Sequence, residues 1–476
     1  MDTNTIKEYI NNWLIENKEE FYAIADDIWE HPELGLEEYR ASGLLKGILK
    51  KYGFTVEEGQ GGMPTAFIAT FSNGNGKPVI GMNCEYDCLP GLSQQKDKAY
   101  PCPVCEGAPG QGCGHNLLGT MSVYSAIALK AAAEQFDLSC TIKIMGSPYE
   151  EASVGKALIA REGYYNDLDI VLDWHPWNYN KADYDKCNSV FVMKFHFKGK
   201  NAHGAYPWEG RSALDAGMLF GMSIEMLREH IKPNGPDAAS TINYTFQDCG
   251  PVFANVVPDR TTVQLYGRFA DLETSQDAFE RIKRCAEGAA LCTGTETEYE
   301  IITYTHNKIP NKTLAEVIHK NMEHYGAPDF SEEDQEFVKE MQKNMGVEPK
   351  GLDTTIQPFG SSETIICDTS EFSWNAPYAT FWVTLGPIGV GWHNWMITAL
   401  AGGNVGKKCF DRAAQIMTSS AVDILLSPEI VEKARAEWKE RMNGRKYECL
   451  MPREHVAPLG TNKAVMDKYF PDRMMS

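Results

Sequence analysis

Three short apolar runs in this chain end abruptly in residues able to do chemistry, and this pattern constrains the fold more than any other feature. Val79–Asn83 runs into Cys84-Glu85-Tyr86-Asp87-Cys88-Leu89-Pro90-Gly91. Thr141–Met145 runs into Ser147-Pro148-Tyr149-Glu150-Glu151, and Asp169–Leu172 into Asp173-Trp174-His175-Pro176. Apolar runs of this length, bounded by turn residues, read as buried strands. An Ala-rich helical stretch after His115 separates the first from the second. Alternating strands and helices predict an α/β domain whose strand ends share one sheet edge, where open α/β sheets place their ligands. Thr65–Phe71 and Val79–Asn83, joined by Ser72-Asn73-Gly74-Asn75-Gly76-Lys77, read as strand–turn–strand. Residues 6–52 read as helices.

At 476 residues the chain exceeds what one core accommodates. Residues 189–306 break the pattern. Ser189–Phe197, Thr241–Gln247, Thr261–Phe269 and Thr295–Thr305 read as strands, with helices at Ser212–Ile231 and Ser275–Leu291. The order β-α-β-β-α-β is the ferredoxin-like split unit. It predicts a small domain at 189–306 inserted into a larger one made of 1–188 and 307–476. Later, Ser331–Glu340 reads as a solvated acidic helix face and Ile430–Met442 as an amphipathic helix. The tail after Gly444 carries no clear pattern.

The net charge of −20 disfavours nucleic acid and anionic membranes as partners. No apolar stretch is long enough for a membrane span, and the polar N-terminus lacks a signal-peptide pattern. The 13 cysteines, without such a signal, read as reduced thiols of a cytoplasmic protein.

The chemistry centres on Gly112-Cys113-Gly114-His115-Asn116 and Glu150-Glu151. A thiolate and an imidazole two residues apart suit a borderline-soft metal such as zinc. Adjacent carboxylates after a buried strand divide two tasks, one on a metal and one on a proton of water. Each signal also has a plainer reading. Cys102 and Cys105 complete a C-x2-C-x7-C-x-H pattern that a closed structural zinc knuckle would use. Glutamates are usually solvated, and lone histidines such as His175 and His393 are usually satisfied within a core. His203 is either a surface-loop histidine or a donor to a substrate carbonyl. Arg268, inside a strand, needs a partner or an anion, and Asn255 offers an amide to the same anion.

Taken together, these motifs resemble the co-catalytic metal amidohydrolase and peptidase family of aminoacylases, glutamate carboxypeptidases and auxin-conjugate hydrolases, most closely its p-aminobenzoyl-glutamate branch. The resemblance runs from His31-Pro32-Glu33 through the motifs above to Gly210-Arg211-Ser212-Ala213-Leu214-Asp215-Ala216, Asn255-Val256-Val257-Pro258 and Trp392-His393. It implies a di-metal catalytic domain with an inserted lid or dimerisation domain. It also implies two divalent metals per chain, zinc above all, with manganese or cobalt as alternatives. By resemblance Cys113 bridges them, His115 and His175 complete one site, and Glu151 and His393 the other. Glu150 is the general base and Asp87 orients a ligand. Where other branches have a metal-binding histidine this chain has Glu85, so no ligand role carries over. His203, from a partner subunit, would stabilise the oxyanion, while Asn255 and Arg268 hold the substrate carboxylate. The implied substrate is an N-acyl or N-aroyl amino acid such as p-aminobenzoyl-glutamate, cleaved by a homodimer or with a related second chain. A dipeptidase or carboxypeptidase would use the same site, and a catalytically silent partner subunit is the reading from outside the enzymes.

Overall fold

The apolar runs form strands because each has a buried face on both sides of one sheet. The computed structural model describes residues 2–184, 186–232, 240–360 and 367–472. Its strands, in chain order, are β1 (Thr55–Glu58), β2 (Phe67–Asn73), β3 (Val79–Cys84), β4 (Cys140–Gly146), β5 (Ile170–Trp177), β6 (Lys181–Asp183), β7 (Ser189–Lys198), β8 (Thr241–Asp248), β9 (Arg260–Phe269), β10 (Glu296–Thr305) and β11 (Tyr378–Thr384). A seven-stranded mixed sheet has the order β1-β2-β4-β3-β5-β11-β6. Within it β4, β3, β5 and β11 run parallel. Ile80, Met82, Ile142, Ile144, Ile170 and Leu172 face a large core. That core includes the helices Thr3–Glu30, His115–Gln135 and Asn404–Leu426. The alternate residues Val79, Met145 and Val171 face a second cluster with Leu158, Ile159 and Phe372. Two covered faces explain why these strands read as continuous apolar runs. Each such side chain contributes about 1.5–3 kcal/mol on full burial.

The strand–turn–strand reading holds as β2 and β3, yet these two strands do not pair, because β4 lies between them. A turn signal reports a change of direction, whereas the hydrogen-bonding partner is a long-range choice. Nor does His175 follow a strand end: it lies inside β5, opposite Trp382 of β11. The ladder continues to Trp177, so the backbone stays extended through the polar residues.

The second sheet, order β10-β7-β9-β8, is antiparallel throughout, the ferredoxin-like arrangement. The helices Ala213–Arg228 and Leu272–Thr293 cover it through Phe191, Phe195, Phe220, Leu265 and Ile282. Along β9, Val263, Leu265 and Phe269 enter this core, so Tyr266 and Arg268 point to the opposite face. Arg268 is the penultimate residue of β9 rather than a mid-strand residue.

The patternless tail is ordered by contact. Met451 enters the second sheet's core, Ala457 the cluster around Leu158, and Met466 packs on Leu34 and Cys88. No helix among the described residues is long and apolar enough to cross a membrane.

Candidate active site

The carboxyl ends of β3 and β4, together with β5, deliver their polar residues to one place. A cavity of about 230 Å³ is lined there by Glu85, Cys113, Glu150, Glu151, His175 and His393, with Arg268 reaching in from β9. Local backbone sets the arrangement. Gly114 caps the helix His115–Gln135 at φ 83°, and a Cβ there would lie 3.0 Å from Pro176 Cγ. Glycine therefore meets both the left-handed conformation and the close approach that bring Cys113 and His115 together. Tyr149, Ser153 and His393 have φ of 56°, 55° and 60°. Such non-glycine residues cost of order 1–3 kcal/mol each and cluster at functional sites.

Two donor groups share Cys113: Cys113, His115 and His175 form one, and Cys113, Glu151 and His393 the other, the ligand atoms within 4.8 Å of one another in each. His175 Nδ1–H donates to the Pro176 carbonyl at 2.6 Å, which leaves Nε2, 3.5 Å from Cys113 Sγ, as the free lone pair. Burial, reinforced by neighbouring His115, lowers the His175 pKa to about 4, so this ring is neutral. Asp87 is fully buried; its Oδ1 lies 3.0 Å from His115 Nδ1 and its Oδ2 accepts from the Glu151 backbone N–H at 3.1 Å. One carboxylate thereby orients a residue of each group. Glu151 Oε2 is 3.5 Å from His393 Nε2.

These donors fit a pair of metal ions. His115 Nε2 and Glu151 Oε1 are buried without a hydrogen-bond partner. Separations of 3.5 Å match neighbouring ligands around a tetrahedral cation with bonds of about 2.0–2.3 Å. Burial pushes the Cys113 thiol up and raises the Glu151 carboxyl to about 7, and a bound cation would oppose both shifts. Glu150 is raised by burial and by the charges of Glu85 and Asp368. Its Oε2 lies 3.8 Å from His115 Nε2.

Not every expected residue is here. His203 and Asn255 are exposed and do not line this cavity. They meet each other instead: Asn255 Nδ2 is 3.4 Å from His203 Nε2, while His203 Nδ1 accepts from the Ala205 N–H at 3.0 Å. Cys102 and Cys105 lie on a loop, half-buried and exposed, and join no donor group among the described residues.

Sequence reasoning saw Trp392 beside His393 as able to exclude water but missed the rest of an aromatic wall. Trp177, Trp382 and Trp392 line the cavity, Trp177 lying 4.7 Å from Trp392 and 5.5 Å from Trp382 between ring centroids. Trp392 Nε1–H also donates to Cys113 Sγ at 3.3 Å. It missed Lys156 too, whose only signal was a charge within the apolar run Gly155–Arg161.

Comparison with known proteins agrees with this geometry. Residues 190–291 match the M20 peptidase dimerisation domain. The chain is 30% identical to one of the two chains of the p-aminobenzoyl-glutamate hydrolase of Escherichia coli (strain K12), over 95% of this chain and 98% of that protein. It is 28% identical to the Xaa-Arg dipeptidase of Mus musculus, over 89% and 90%. Among solved structures, the Bacillus subtilis YXEP protein, described as a dinuclear metal binding peptidase from the M20 family, superposes with a TM-score of 0.57 at 17% identity, covering 88% of this chain and 99% of that one. By fold and by relationship over nearly its whole length, the chain belongs to the M20 family of metal-dependent hydrolases of amide and peptide bonds.

Proposed function

We propose that this protein is a cytoplasmic amidohydrolase that removes the acyl or aroyl group from an N-acylated amino acid, with p-aminobenzoyl-glutamate as the type of substrate. The observation that carries this reading is the thiol of Cys113 shared by two donor groups, with the Glu150 carboxyl beside them. Two divalent ions held by Cys113, His115, His175, Glu151 and His393 would polarise the scissile carbonyl and acidify a water. Zinc suits a thiolate with imidazoles best, and manganese or cobalt are the alternatives.

Glu150 takes the proton of the attacking water at a carboxylate oxygen. It returns that proton to the amide nitrogen as the C–N bond breaks. Its burial, which raises its pKa, suits a group that must both accept and release a proton. Arg268 holds the carboxylate of the amino-acid half. Its guanidinium stacks 4.0 Å above the Tyr266 ring and donates to Asn243 Oδ1 at 3.2 Å, which fixes its direction. The tryptophan wall supplies an apolar, flat surface for an aromatic acyl group.

His203 acts from a second protomer. Nδ1 is taken by the Ala205 N–H, so Nε2 is the ring nitrogen that would turn from Asn255 to meet an oxyanion. Asn255 accompanies it. The unit at 189–306 is accordingly both lid and dimerisation element, and a related chain in place of the second copy would complete the site in the same way. A dipeptidase activity is the second reading, favoured by the similarity to the Xaa-Arg dipeptidase. A panel of acyl-amino acids and dipeptides, assayed with metal content on the same sample, tests both. Turnover of acyl-amino acids with about two ions per chain is expected. Hydrolysis of dipeptides alone would select the second reading, and hydrolysis of nothing would select the catalytically silent partner.

A further inference from the structure

Next to the donor groups lies a buried charge that the chemistry above leaves unused. Lys156 is fully buried, and its Nζ stands 2.7 Å from Glu85 Oε1 and 2.6 Å from Asp368 Oδ1, both carboxylates being buried as well. One ammonium facing two carboxylates leaves a net negative charge among almost entirely buried side chains, an arrangement that favours another cation nearby.

Glu85 shows where that cation belongs. Its Oε1 is committed to Lys156 and also accepts from Asn83 Nδ2 at 2.8 Å. The carboxylate therefore cannot rotate freely, and its other oxygen, Oε2, is held 3.4 Å from His115 Nε2. This is the nitrogen that Asp87 leaves available, and it is buried without a partner. At 3.4 Å the pair is beyond the 2.7–3.2 Å range of an N–H···O bond. Two ligands about 2.0–2.2 Å from a tetrahedral cation, by contrast, are spaced by about that much.

Resting on the metal-dependent reading above, we propose that Lys156 is a positioning residue of the metal centre: by fixing Glu85 it presents Oε2 to the cation held on His115. Glu85 thereby serves that half of the centre, while the half built on Glu151 and His393 does not depend on it.

Metal-free wild type, Lys156→Met and Glu85→Gln proteins are titrated with Zn²⁺ and with Co²⁺. Bound metal is measured by equilibrium dialysis, and the Co²⁺ absorption spectrum is recorded. Both variants should bind one ion about 10–100-fold more weakly, the usual consequence of removing a group behind a ligand. The second ion should bind as in wild type, and only part of the Co²⁺ spectrum should change. The double variant should be no worse than the weaker single one, because both substitutions act through one oxygen.

The sign is informative. Deleting a positive charge beside a cation would by itself tighten binding. Tighter or unchanged binding of both ions in Lys156→Met and Glu85→Gln overturns the proposal. Glu85→Gln leaves Lys156 paired with Asp368, so it decides the matter if Lys156→Met fails to fold. Wild type that takes up fewer than two ions overturns the metal reading and this proposal together. Two ions in wild type, unperturbed in the variants, overturns the proposal alone.

Discussion

The regions around Cys113 and around His203 are built in opposite ways. Around Cys113 the donor side chains are buried or half-buried save His393, and Asp87 ties His115 to the Glu151 backbone. Around His203 they are exposed, and the nearby Tyr206, Trp208 and Phe253 are 54%, 69% and 66% exposed. The first region is assembled by one chain. The second presents donors and apolar side chains outward, which is the form of a surface awaiting a second molecule. Its sheet ends in the edge strand β8, and the adjoining helix exposes Met218, Met222 and Met226 in a stripe.

Substitutions test that contrast, beginning with the largest effect. Glu150→Gln should lower kcat by about 10²–10⁴-fold with both metals retained. Wild-type turnover in that variant would remove Glu150 from its role. His203→Ala should cost about 10²–10³-fold in kcat, the usual loss of one oxyanion donor. The two inactive proteins, mixed under conditions that exchange protomers, should regain activity, because one protomer's Glu150 would meet the other's His203. Failure to complement would place His203 in its own chain's reaction.

A smaller effect is expected at the cavity wall. Arg268→Ala should raise KM for acyl-amino acids about 10–100-fold, in line with about 1.5–3 kcal/mol for a hydrogen bond to a charged group. A fall in kcat with KM unchanged would give it another task. Met222→Glu should weaken self-association roughly tenfold, the factor supplied by ~1.4 kcal/mol, in sedimentation velocity. An unchanged association constant would move the interface elsewhere. Least of all, Cys102→Ala combined with Cys105→Ala should leave metal content unaltered, since neither cysteine joins a donor group among the described residues. A lost ion would restore the zinc-knuckle reading.

Much of the fold was legible because it rests on short-range pattern. Strands buried on both faces show as apolar runs, and the two-layer unit shows as alternation, with Val263 and Leu265 inward and Tyr266 and Arg268 outward. The pairing of β2 with β4 was not legible, since the Asn-Gly turn before β3 suggests a neighbour that the sheet does not use. The tail after Gly444 was equally opaque. Met451 and Met466 each bury alone, in different clusters, and a single residue has no periodicity.

The candidate site divides along the same line. Residue chemistry and order alone pointed to a thiol, histidines and paired carboxylates able to hold metal and move a proton, because these properties belong to the side chains themselves. The sharing of Cys113 and the place of His203 outside the cavity were implied by the family resemblance, whereas the separation of Asn255 from the cavity and the clamp of Lys156 on Glu85 were decided only by tertiary structure. Distances of a few ångströms between residues far apart in the chain depend on how the whole sheet edge packs. No local spacing encodes them.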